Sequence, residues 1–212
     1  MLGIRRRIEG AGRDLDMIAR AIESGAGVGG EPSSVIAAVA LAGLGPDVGP
    51  PLIQAPPARP GLIRGASEAA LAKLLPRTPR PKLLALSAGL LQILDDWPAS
   101  HIAAQEADDL GESEFSPYWH AIAHRREPDP GNAAYWFRRV GKHPAFDHLV
   151  RAVTPLADVG SGLVRDDSWE PLAFIRFSGD ADRKPGSPEE ALARRIQRLE
   201  MLILLDLTCA SL

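Results

Sequence analysis

The chain has 212 residues, is 45 % hydrophobic and 24 % charged, and carries a formal net charge of −3. That length can bury a real core, and the near-neutral charge excludes broad, sequence-independent nucleic-acid binding while leaving room for a local basic patch. The single cysteine, Cys209, excludes an intramolecular disulfide, and no apolar run reaches the roughly 20 residues of a membrane helix. Acids follow the basic residues of "MLGIRRRIEGAGRDLD", where a signal peptide would place its apolar stretch. The expectation is a soluble, cytoplasmic protein.

In chain order, "DLDMIARAIE" at 14–23 predicts a short amphipathic helix, with Leu15, Ile18 and Ile22 on one face. Glycines end it, and "SSVIAAVALAGL" at 33–44 predicts a second, apolar one. Residues 45–60 carry six prolines, which remove backbone donors and cannot sit inside a helix. Residues 45–65 are therefore expected to form a linker or surface loop between an N-terminal helical segment, 1–44, and a main domain, 66–212.

"SEAALAKLL" predicts a short helix ending before Pro76. "KLLALSAGLLQILDD", residues 82–96, predicts a central one, because its Leu83, Leu86, Leu90 and Leu94 stripe is widened by Leu84 and Leu91. "ASHIAAQEADDL" adds another. In the stretch 117–141, Ser116 before Pro117 and Asp129 before Pro130 read as two helix starts, Pro128 disfavours helix at Glu127, and Gly141 stops the second. That pattern is an antiparallel helical hairpin. "HPAFDHLVRAV" follows as a helix, "TPLADVGSGLVRDDS" as a loop, and "WEPLAFIRF" as a helix with Pro171 in its first turn. The last helix, 187–210, opens with a capping box of Ser187 and Glu190 and becomes apolar all round at 202–205. No alternating strand pattern is present. The fold class is all-α, an irregular bundle of helices and helical hairpins.

The hairpin is also the densest functional candidate. His120 and His124 are four apart and share a face. With His101 from the preceding helix they could ligate a metal, and a zinc ion with an open position would activate water for hydrolysis. Glu127, Asp129 or the Asp95–Asp96 pair could complete the shell in place of His101, although "HAIAH" lacks the glutamate directly after the first histidine that supplies the general base in the familiar helical zinc motif. The plainer alternative stacks one histidine on Trp119 or Trp136 and bonds the other to a carboxylate.

The arginines offer a different reading. Arg125 and Arg139, beside Tyr135, Trp136 and Trp119, could line a cleft for a peptide or a small anionic ligand. His101, Gln105, His120, His124, Glu127 and Asn132 would complete it. The plainer alternative pairs the arginines with Glu127, Asp129 and neighbouring acids.

Asp129, Ala133, Trp136, Phe137 and Arg139 resemble the second helix of a Sel-type tetratricopeptide-like unit, with Ala121 and His124 at matching places in the first. The likeness covers one hairpin and has no second copy. Over roughly residues 85–210 the "YWHAI-HRREPD" and "NA-YWFRRVG" strings also resemble a family of bacterial proteins of uncharacterised function, a resemblance that implies no activity.

Among the remaining features, the glycines of 25–30 follow a helix and not a strand, so no dinucleotide site is expected. Ser161 lacks the flanks of a nucleophile elbow, and Cys209 reads as a core thiol. Three functional classes follow: a binding module, a metal-dependent hydrolase using His120 and His124, and a structural or homodimer-forming protein whose C-terminal helix is the contact. No cofactor is expected unless the histidines hold a divalent metal.

Overall fold

A computed structural model describes residues 32–44, 49–156 and 162–212. The expected helix at 14–23, the 25–30 glycines and Ser161 lie outside them. Ten helices and one small hairpin occur among the described residues: α1 (Pro32–Leu44), α2 (Pro60–Ala66), α3 (Glu68–Leu74), α4 (Arg80–Ile93), α5 (Trp97–Asp109), α6 (Ser116–Arg126), α7 (Pro130–Val140), α8 (Pro144–Val153), β1 (Val164–Arg165), β2 (Ser168–Trp169), α9 (Pro171–Asp182) and α10 (Pro188–Ala210). The all-α class holds. The one strand pair was missed because its two-residue strands are too short to alternate; Asp166 and Asp167, both at positive φ, form the tight turn between them. No described helix is long and apolar enough to cross a membrane.

Helix α4 is the centre of the bundle, as its wide leucine stripe predicts. Leu83 to Ile93 are all buried, and α1, α3, α5, α6 and α10 pack around it. Gly89 permits the closest of these approaches. A Cβ there would lie 2.6 Å from the Trp119 ring, so only glycine lets that indole settle on the α4 backbone. The Trp119 Nε1 then donates to Thr208 of α10 at 3.2 Å. The apolar end of α10 is buried as expected, from Met201 through Leu205, with Cys209 beside it; burial raises that thiol's pKa.

The proline-rich stretch is not a free connector. It contains α2, because Pro60 takes the first helical position, where its missing N–H costs nothing. Leu52 is buried in the core. The Pro51 carbonyl accepts from Arg126 and from Gln197, at 3.0 Å each, and Gln54 N donates to Arg126 O at 2.9 Å. Proline density removes helix but leaves carbonyls free to accept, and buried side chains use them. Helix α1 likewise belongs to the core, against α4.

Two capping expectations change. Ser116 is already inside α6; the start of that helix is capped from outside by Glu112, whose carboxylate accepts from the backbone N–H of Glu114, Phe115 and Ser116. At α10, Ser187 accepts from Glu190 N at 3.1 Å, but the Glu190 carboxylate turns to Gly186 N and not to Ser187. Asp129 behaves as expected and accepts from Asn132 N at 3.0 Å. Gly141 stops α7 with φ at 60°.

Candidate metal centre

Helices α5 and α6 bring three imidazoles together. His120 and His124 lie one turn apart on α6, so their rings stack, 4.9 Å between centroids and 15° between planes. His101 comes from α5 and stands edge-on to both, at 4.4 Å and 5.0 Å. One ring nitrogen from each of the three lies within 4.8 Å of the others. Nitrogens on a tetrahedral zinc are about 3.3 Å apart, so small side-chain rotations would close this set.

The surroundings fix two of the rings. His120 lies flat on Trp136, with centroids 3.9 Å apart. His124 places Nδ1 2.8 Å from a Glu127 oxygen. A carboxylate there holds the proton on Nδ1 and leaves the Nε2 lone pair for another partner. Trp97 packs on His101 at 5.0 Å and is itself anchored by its Nε1 bond to Ala123 O. Sequence reasoning passed over Trp97, although it stands four residues before His101 on the same helix and that spacing could have found it.

His120 is the exceptional residue. It is 1 % exposed, and neither ring nitrogen has a hydrogen-bond partner. Burial, then His101, His124 and Arg139, lowers its pKa to about 3. His101 is lowered as well, by burial and by His124, with Glu127 acting the other way. At neutral pH both therefore keep a lone pair. Glu127, Asp129 and Asp108 place three carboxylates around the group, and Arg139, paired with Asp108 at 3.1 Å, offsets one of them. That leaves a negative surround for the three imidazoles.

The other candidates disperse. Trp119 faces the core at Thr208 and not the histidines. Arg125 points to Glu200 of α10, and Arg126, fully buried, to Asp95, so their partners are distant acids and not Glu127 or Asp129. This also takes Asp95 away from the histidines, while Asp96 accepts from Ala99 N at the start of α5. Gln105 bonds Asp109 on its own helix. Asn132 is exposed and bonds Asp129. Tyr135 is exposed and meets Trp136 edge-on, and Arg139 lies 5.0 Å over the Trp136 ring. The structure thus gathers His101, His120, His124, Glu127, Trp136 and Arg139, and separates Trp119, Arg125 and Gln105 from them. A second grouping, His124 with Glu127 and Asp129, meets the same 4.8 Å limit, but each of its carboxylates already accepts a hydrogen bond.

No protein-family model matches this chain, and neither a curated protein nor a solved structure matches it.

Proposed function

We propose that the chain binds one divalent metal of the zinc class through His101, His120 and His124 and acts as a metal-dependent hydrolase. The observation that carries this is His120. A buried imidazole whose nitrogens both lack partners costs about 1–3 kcal/mol for each unmet group, and this one faces two further lone-pair donors. Imidazole sets suit zinc, copper, nickel and iron. Three histidines leave a fourth position for water, the arrangement of hydrolytic zinc sites. His101, the most exposed of the three, marks the side from which solvent arrives. Glu127 fixes the tautomer of His124, and Arg139, over the Trp136 ring that stacks on His120, is a cation that could orient an anionic substrate.

The test is elemental analysis of tag-free protein purified without chelator, followed by calorimetric titration with zinc. About one equivalent of metal is expected, falling to background in His120→Ala while circular dichroism is unchanged. No metal on isolation and no heat on zinc addition would reject the site. Hydrolysis of p-nitrophenyl acetate or p-nitrophenyl phosphate that disappears with chelator supports the activity. Bound metal without turnover would reassign the ion to a structural role.

A further inference from the structure

Beyond the histidines, a cavity of about 310 Å³ opens between the end of α6, the segment around Leu52 and helix α9. Its walls are mostly apolar, with Leu52, Ile53, Pro128 and Ile175, and α9 with its C-cap adds Ser178, Asp182 and Arg183. Two independent features show that it is built. The first is Arg125, 5 % exposed, which lines it. Its Nη2 donates to Glu200 at 2.5 Å and its guanidinium lies 4.5 Å over Phe174, yet Nε and Nη1 are buried without a partner. The second is Gly179, in the last turn of α9. A glycine inside a helix costs about 0.5–1 kcal/mol relative to alanine, and here no neighbour requires it, because a Cβ would meet nothing within 4 Å. The residue keeps space open in the cavity wall.

We infer that this cavity binds a small, mostly apolar molecule through a neutral carbonyl-type acceptor, as in a ketone, ester or amide, with Arg125 donating to it. The apolar walls select the body of the ligand. The charge balance selects its polar end. Glu200 already neutralises Arg125, and of the two further charges in the lining Arg183 is paired with Asp180, which leaves the Asp182 carboxylate unopposed. A carboxylate would bring another negative charge against Glu200 and Asp182, whereas a carbonyl oxygen satisfies an orphaned N–H without adding charge. The pinning of Pro51 by Arg126 and Gln197 holds the Leu52 wall in place before any ligand arrives.

Three probes of one size separate the outcomes by ligand-observed NMR titration of the full chain: cyclohexyl methyl ketone, ethylcyclohexane and cyclohexanecarboxylate. The ketone is expected to bind, the hydrocarbon about tenfold more weakly for want of the acceptor, and the carboxylate more weakly still. Gly179→Trp, which fills the cavity from an open helix position, is expected to abolish ketone binding without lowering the thermal midpoint and with unchanged zinc titration. No binding by any probe, or ketone binding that survives Gly179→Trp, would overturn the inference. A carboxylate that binds tightest would overturn the neutral-acceptor class.

Discussion

Helix α6 buries two kinds of basic side chain, and the fold treats them oppositely. Arg126 is surrounded: its donors reach Asp95, Pro51 O and Gln92 O. His120, less than two turns earlier on the same helix, reaches no acceptor or donor at all. Both are almost wholly removed from water. A charge that cannot leave its ionised state must be paired to be buried, whereas an imidazole can be buried neutral and left with a lone pair. The contrast teaches that burial of a polar group does not by itself mark a structural role. The partner count does. Arg126 is a closed structural knot, and His120 is an open one.

The largest effect expected from this contrast is at Arg126. Arg126→Leu leaves the Asp95 carboxylate without its partner, and should cost about 3–5 kcal/mol in urea unfolding. A loss below about 1 kcal/mol would mean that the knot contributes no more than a surface pair does.

Acid comes next. Folded His120 titrates at about pH 3, and the unfolded imidazole at its ordinary 6.5. Between these values the unfolded chain binds the extra proton. The contribution of His120 is therefore complete above pH 6.5 and is lost as pH falls toward 3, by about 1.4 kcal/mol per pH unit. His101 and His143, both lowered by burial, act in the same direction. In chelator, His120→Leu should flatten the fall in stability between pH 6 and pH 4. A fall as steep as that of the parent protein would show that His120 is not held as a neutral imidazole.

A smaller effect sharpens the metal side. Glu127→Ala releases the Nδ1 proton of His124 and should weaken zinc binding by about 10- to 100-fold in calorimetry, with little change in metal-free stability. Unchanged affinity would remove Glu127 from the site. The smallest effect belongs to Asp129. As the cap of α7, its replacement by Ala should cost about 1 kcal/mol and leave zinc affinity untouched. A drop in affinity would move the centre toward His124, Glu127 and Asp129.

The hairpin was legible in advance because its signals are local. Pro117, Pro130, Asp129 and Gly141 fix starts and stops through backbone geometry that each residue carries with it, and α6 and α7 fall where those residues direct. Ser116 shows the limit: a capping hydroxyl was in place, but it donates to Glu112 O, and the Glu112 carboxylate, four residues earlier, takes the N–H groups at the start of α6 instead. The site divides in the same way. His120 and His124 share a face by helical spacing alone. That Arg125 would answer to Glu200, 75 residues away, and Arg126 to Asp95 and Pro51, could not be read from neighbours in sequence.

By itself, then, the sequence determined the all-α class, most helix boundaries, the buried end of α10 and the adjacency of two histidines, because periodicity and turn chemistry act over one or two helical turns. Only the tertiary structure decided that His101 joins them, that Trp119 and the two arginines turn away, and that Leu52 of the proline-rich stretch enters the core while the Pro51 carbonyl is bonded by α6 and α10. Those outcomes depend on which helices meet and on the need to pair each buried charge, and that need is met by whatever acceptor the packing brings near, however distant in the chain.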